Sequence, residues 1–157
     1  MSRPQKNRTV QEPPKIQGMK PIGVPASFLD KVILSIDEYE AIRLADFKGL
    51  EHEKASEIMG ISRPTFTRLI EKARCKLAES IVAVKELIIE GGSFSFVNDL
   101  IRCLDCGEVS RFDDTNFIPE TCPNCDSRNI VHLNQWFSVG RGHRRGGRGF
   151  RGGRGGW

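Results

Sequence analysis

Residues 51–73 read EHEKASEIMGISRPTFTRLIEKA, and their pattern decides how the surrounding chain folds. A short helix over HEKASEIM turns Ala55 and Ile58 to Met59 inward. Gly60 then supplies the left-handed backbone that a tight corner between helices needs. Ser62 is a good N-cap for the next helix, and Pro64 lies in its first turn, where a missing N–H costs little. Two helices meet at the steep angle of a helix-turn-helix only where the crossing residues are small, as Ala55 and Ser56 are. The second helix of such a unit lies in the major groove with its N-terminal residues on the base edges. With Phe66, Leu69 and Ala73 facing the core, Arg63, Pro64, Thr67 and Arg68 project toward DNA. Arg63 and Arg68 suit bidentate guanine contacts, and Thr67 or the Pro64 ring suits a thymine methyl. Thr65, Lys72 and Lys76 are placed for phosphates. The same pattern also fits an ordinary helical hairpin whose arginines sit on a solvated face.

Upstream, SIDEYEAIRLADFKGL begins with Ser35 and has Glu38 three residues later, a capping box, with Gly49 as the stop. Downstream, Phe66, Leu69 to Ile70, Ala73, Leu77, Ile81 and Val84 carry the third helix to about Lys85. Cys75, beside that stripe, reads as a small buried apolar residue. ELIIEGGSFSFV then places two β-prone runs either side of Gly91-Gly92, which predicts a hairpin. Residues 1–25 hold five prolines and little periodicity and read as a basic extended arm. Its KPIGVP segment and its charge favour docking, although a tail with no role fits as well.

Two C-x-x-C pairs, Cys103 with Cys106 and Cys122 with Cys125, are separated by fifteen residues. Each pair forms a knuckle that brings two thiolates to one tetrahedral ion, most simply a structural zinc. A rubredoxin-like iron site uses the same motif, so iron remains open. Four thiolates leave no coordination position for water or substrate, which argues against hydrolytic metal catalysis. His132 reads as a strand residue rather than a fifth ligand. The metal's expected role is to fold a segment of about forty residues that is too small for its own core.

The stretch LSIDEYEAIRLADFKGLEHEKASEIMGISRPTFTRLIEKARCKLAESIVAVKELIIEGG resembles a small prokaryotic family related to region four of bacterial sigma factors. The segments DEYEAIRL, GISRPT and LIIEGG carry the resemblance, together with SRPQKNR and KPIGVP in the arm. It covers about two thirds of the chain and implies a DNA-binding transcriptional regulator. In sigma region four the base-contacting positions fall where this sequence has Arg63, Pro64, Thr67 and Arg68; Pro64 departs from that pattern. Nothing resembles the other sigma regions.

The last eighteen residues, GRGHRRGGRGFRGGRGGW, cannot bury enough surface to offset ordering entropy and are expected to be disordered. They resemble the arginine-glycine-glycine segments of RNA- and single-strand-binding proteins. Arg141, Arg144, Arg145, Arg148, Arg151 and Arg154 suit phosphates and base faces, and Phe150 and Trp157 add stacking surfaces. A solubilising tail, or one bound to an acidic protein, has the same composition.

Charge is uneven: the net charge is +4, but the tail's six arginines leave 18 basic against 20 acidic residues in 1–139. Basic ends on a mildly acidic middle point to a polyanionic partner. No run of 18 apolar residues exists and the N-terminus lacks a secretory centre, so a cytoplasmic protein without membrane contact is expected. In that compartment five cysteines favour metal binding over disulfides. The expected organisation is an arm over 1–25 and a mainly α helix-turn-helix domain with a β-hairpin over 26–97. A small β zinc ribbon over 98–138 and a disordered tail over 139–157 complete it. The leading functional expectation is a sequence-specific regulator on double-stranded DNA, with a homodimer open. An RNA- or single-strand-binding protein led by ribbon and tail is the second expectation, and an iron redox protein the third. No nucleophile–base pair, phosphate loop or carboxylate dyad stands out, so no enzyme is expected.

Overall fold

The computed structural model describes residues 7–112 and 117–138. Eight strands and four α-helices make the described chain mixed α/β rather than mainly α. The first half runs β1 (Arg8–Val10), β2 (Gly18–Met19), β3 (Lys31–Leu34), α1 (Ile36–Ile42), α2 (His52–Met59) and α3 (Arg63–Val82). Then come β4 (Glu86–Ile89), β5 (Phe94–Phe96), β6 (Asp99–Cys103), β7 (Val109–Phe112), β8 (Ile130–His132) and α4 (Leu133–Ser138).

Helix starts follow the local chemistry. The Ser35 hydroxyl accepts from the Glu38 N–H (3.4 Å) while the Glu38 carboxylate accepts from the Ser35 N–H (2.9 Å), a closed capping box. One turn of π-helix, Arg43–Phe47, extends α1. Gly60 closes α2 with φ +66°, and Ser62 caps α3, so three residues join the two helices. α3 ends at Val82, about three residues earlier than its apolar spacing predicts. No glycine follows it, so Val84 itself takes the left-handed conformation at φ 54°, and the Lys85 N–H closes the end on Ser80 O (2.9 Å). Ile81 and Val82 consequently lie exposed at 76 % and 82 %, outside the core stripe.

The expected hairpin about Gly91-Gly92 is not formed. β4 sits between β2 and β3, antiparallel to the first and parallel to the second, so both of its edges are occupied. β5 goes instead to a separate pair, parallel to β1 from the N-terminal segment. Parallel partners need a long crossover, and here α1, α2 and α3 lie within both crossovers. The glycines serve a close approach. Gly91 O accepts the Ile36 N–H (3.0 Å), and a Cβ on Gly92 would stand 2.5 Å from Asp37 Oδ1.

Two apolar clusters share α1 and α3. Ala41, Leu44, Ala55, Met59, Phe66, Leu69 and Ile70 form one between the three helices. Ile36 and Ala73 join Val10, Val32, Leu34, Leu87, Ile89 and the Phe137 side chain of α4 in the other. The N-terminal segment is thus part of the packing: Val10, Pro13 and Pro14 are fully buried. A buried polar network fastens it. Glu40, with no exposed surface, accepts from Gln11 N–H (3.0 Å) and from Arg43 Nε and Nη2 (both 2.7 Å). No described helix is long and apolar enough to cross a membrane.

Candidate functional site

The two C-x-x-C segments fold alike because each closes the same short turn. In the first, Gly107 N–H returns to Cys103 O (3.1 Å) and Cys103 N–H reaches Glu108 O (2.9 Å). In the second, Asp126 N–H returns to Cys122 O (2.9 Å) and Cys122 N–H reaches Ser127 O (2.8 Å). Each turn needs one left-handed residue after its second cysteine. Gly107 (φ 77°) supplies it cheaply, and Asp126 (φ 58°) supplies it in the second knuckle. Antiparallel strands β7-β6-β8 carry the knuckles, with Cys103 ending β6 and the second knuckle leading toward β8.

The four sulfurs converge. Cys103 and Cys125 Sγ are 3.6 Å apart, as are Cys106 and Cys122, and all four ligand atoms lie within 4.8 Å of one another. A tetrahedron with metal–sulfur bonds of about 2.3 Å has edges of about 3.8 Å, so the cluster matches one ion in size and ligand number. Cys103 and Cys122 are buried while Cys106 and Cys125 face outward. N–H groups point at the sulfurs: Cys106 N at Cys103 Sγ (3.5 Å), Asn124 N at Cys122 Sγ (3.4 Å) and Asn124 Nδ2 at Cys106 Sγ (3.6 Å). The Glu108 backbone N–H, followed by the Asn124 amide, brings the Cys106 thiol down to about 6. At Cys125 the Ser127 backbone N–H favours the thiolate, but desolvation and the three neighbouring sulfurs push the thiol up to about 12. Such crowding is relieved by a cation, which lets all four ionise together.

Asp105 staples the knuckles together. Its carboxylate accepts from Ser127 Oγ and from Asn129 Nδ2 (3.0 Å), and the Ser127 hydrogen bond, then that of Asn129, lowers its pKa. The sequence pattern marked neither Asp105 nor Asn124, since both occupy the unspecified positions of C-x-x-C. His132 lies in β8, edge-on to the Phe112 ring at 5.6 Å, and is not among the gathered ligand atoms.

The second candidate surface is the start of α3. Phe66, Leu69, Ile70 and Ala73 are buried, whereas Arg63, Pro64, Arg68 and Lys72 are exposed and Thr65 and Thr67 half-buried. Several expected contacts are already engaged, Thr65 Oγ1 with Ser62 Oγ (2.8 Å) and Lys72 with Glu38 (3.9 Å) among them. Thr67 Oγ1 lies 3.0 Å from His52 Nδ1, and Lys76 donates to both Glu38 oxygens (3.0 and 2.7 Å). Arg63 is 3.9 Å from Glu53, both 66 % exposed, a pairing loose enough to exchange for another anion. Thr65, Arg68 and Lys72 line a cleft of about 350 Å³ together with Arg8 of β1, whose guanidinium pairs with Asp37. Arg8 was legible only as part of the arm's basic charge. Cys75 is exposed, not buried: its side of α3 faces away from the apolar stripe. Arg141, Arg144, Arg145, Arg148, Arg151 and Arg154 lie outside the described residues.

These features define a small mixed α/β protein with a four-cysteine cluster fit for a metal ion and a basic face on its longest helix. Residues 1–97 match the family described as "Protein of unknown function DUF134", and the chain belongs to that family. A "UPF0251 protein" of Chloroherpeton thalassium is 49 % identical over 151 residues, covering 94 % of this chain and 99 % of the relative. That of Moorella thermoacetica is 39 % identical over 146 residues, covering 93 % and 95 %. That of Desulforudis audaxviator is 39 % identical over 131 residues, covering 83 % and 86 %. No solved structure matches the chain.

Proposed function

We propose that the protein is a sequence-specific DNA-binding protein and a transcriptional regulator. In this reading α2 and α3 act as a helix-turn-helix related to sigma region four, and α3 enters the major groove. The observation that carries the reading is the two-faced start of α3: a fully buried Phe66–Ile70–Ala73 side opposite exposed Arg63, Pro64, Arg68 and Lys72. Arg63 and Arg68 would read bases; Thr65 and Lys72 would hold phosphates. The four cysteines would hold one structural zinc, whose contribution is to the fold and not to a reaction, since four thiolates close its coordination sphere. The arginine-glycine segment would add grip without reading sequence.

Selection of preferred sites from random duplex DNA, followed by Arg63→Ala and Arg68→Ala on the selected site, tests this. Each substitution is expected to cost about 1–3 kcal/mol and to relax preference at one position, whereas Lys72→Ala lowers affinity uniformly and flattens the salt dependence. If both arginine variants keep full sequence preference, the recognition-helix reading is wrong. One equivalent of zinc in colourless protein is expected; visible absorbance would assign iron instead.

A further inference from the structure

The C-terminal half of α3 carries a second apolar stripe, on the side away from its core. Cys75, Ala78 and Val82 are exposed at steps of three and four residues, opposite the buried Phe66, Ala73 and Ser80. Ile81 and Val84 flank the far end of this stripe, with Val84 52 % exposed. Beside its other end, Arg74 donates two hydrogen bonds to Asp46, and the next residue, Phe47, stands 84 % exposed. The three-and-four spacing is that of a helix seam, and small residues at its middle let two helix axes approach closely. Exposed apolar surface gathered in this way marks an interaction site rather than ordinary scatter.

The charges along the stripe select its occupant. Lys72 and Glu79 lie seven residues apart on one edge, opposite in sign. Lys72 is 69 % exposed and Glu79 49 %, so each keeps surface for a second partner besides Glu38 and Lys85. In an antiparallel pair of identical helices each edge meets its own copy reversed. Lys72 then falls opposite the second copy's Glu79, and Glu79 opposite the second copy's Lys72. The same two-fold sets Cys75 against the second copy's Ala78 and brings the Phe47 edge onto the second copy's Ile81. Phe47, Ile81, Val82 and Val84 expose on the order of 1,000 Å² over two copies, the area a specific interface needs. We propose that the protein forms an antiparallel homodimer through the Glu71–Val82 half of α3. The dimer does not rest on the duplex-DNA reading. Because the two share Lys72, it is tested without DNA, and its failure leaves that reading standing.

Sedimentation equilibrium tests this on the full, metal-loaded chain freed of nucleic acid, across a dilution series. The expected species has twice the chain mass of 17.6 kDa. Ala78→Asp lies on the exposed face of α3 and should give monomer with an unchanged thermal unfolding curve. Lys72→Glu and Glu79→Lys should each weaken the dimer about tenfold, since each sets like charges opposite one another. The chain carrying both substitutions should regain the dimer, because opposite charges face each other again; a loss of folding would not be repaired in this way. Monomer at every concentration would overturn the proposal and leave the stripe to a different partner. A dimer that survives Ala78→Asp would place the contact elsewhere and overturn it equally. A double variant no stronger than the single ones would reject the antiparallel register, and the proposal with it.

Discussion

The helical part of the molecule and the ribbon solve the same problem with different means. Around α3 the chain closes two apolar clusters, with Phe66, Ile70, Leu44, Met59, Leu34 and Ile36 essentially free of solvent. Each such side chain contributes about 1.5–3 kcal/mol through burial. Among the described residues of the ribbon between Asp99 and Ile130, only Leu100 and Ile101 join Cys103 and Cys122 below the surface. Two aliphatic side chains cannot offset the ordering of some thirty residues. Strand count is no substitute for core. What the ribbon has in its place is four sulfurs at tetrahedral spacing, and one helix, α4, that lends Phe137 to the neighbouring cluster.

The largest effect should therefore come from the ribbon's cysteines. Cys103→Ser, or a strong chelator, would remove the proposed metal binding, worth on the order of 10 kcal/mol in structural zinc sites. Amide exchange is the measurement: β6, β7 and β8 should lose protection while α3 keeps it. Simultaneous loss of protection in α3 would mean that Phe137 makes the two regions one cooperative unit, and the comparison would have to be redrawn.

Next in size is Glu40→Ala, which tests whether the helical region rests on apolar packing alone. The carboxylate is wholly buried and bonds both the Arg43 guanidinium and the Gln11 backbone. Its hydrogen bond, with burial opposing, raises the Arg43 pKa. Removing one member of a buried pair strands the other charge and costs about 3–5 kcal/mol. Urea unfolding followed by far-ultraviolet circular dichroism should report a loss of this size, together with release of the Arg8–Val10 strand. A loss below about 1 kcal/mol would show that Arg43 finds water when Glu40 is gone.

Local chemistry was legible in the sequence wherever the interaction closes within a few residues. The Ser35–Glu38 box, the Ser62 cap, the Gly60 corner and the paired knuckles all span fewer than six positions. The misreadings share a cause. β1 is three residues long and its partner β5 lies 86 residues away, so no periodicity announces the pair. The Gly91-Gly92 signal is real, but it answers to the start of α1 rather than to a hairpin. Glu40 carries a charge, which by type belongs outside, and only the tertiary positions of Gln11 and Arg43 reveal why it is inside. The four converging cysteines could be singled out from spacing alone; the amides and the carboxylate that orient them could not.

The smallest effect is expected at Asp46 and Arg74, which have the same chemistry as Glu40 and Arg43 in a different setting. Arg74 donates from Nη2 (2.6 Å) and Nε (3.1 Å) to the carboxylate, but the two side chains are 47 % and 40 % exposed. That hydrogen bond, with burial opposing, holds the Asp46 carboxyl below its ordinary value. A carboxylate depressed by folding adds stability above its unfolded pKa of about 4, and the gain is lost as pH falls through the folded value. Asp46→Asn should accordingly lower the urea midpoint near neutral pH and leave it unchanged in acid, where both states are protonated. Solvent screening limits the cost to about 0.2–1 kcal/mol. Set beside Glu40→Ala, the pair contrasts a wholly buried carboxylate–guanidinium pair that also holds the Gln11 N–H with a half-exposed pair that holds no backbone. Equal costs at the two sites would mean that desolvation is not what makes the Glu40 network matter, and that its hold on the N-terminal strand comes from geometry alone.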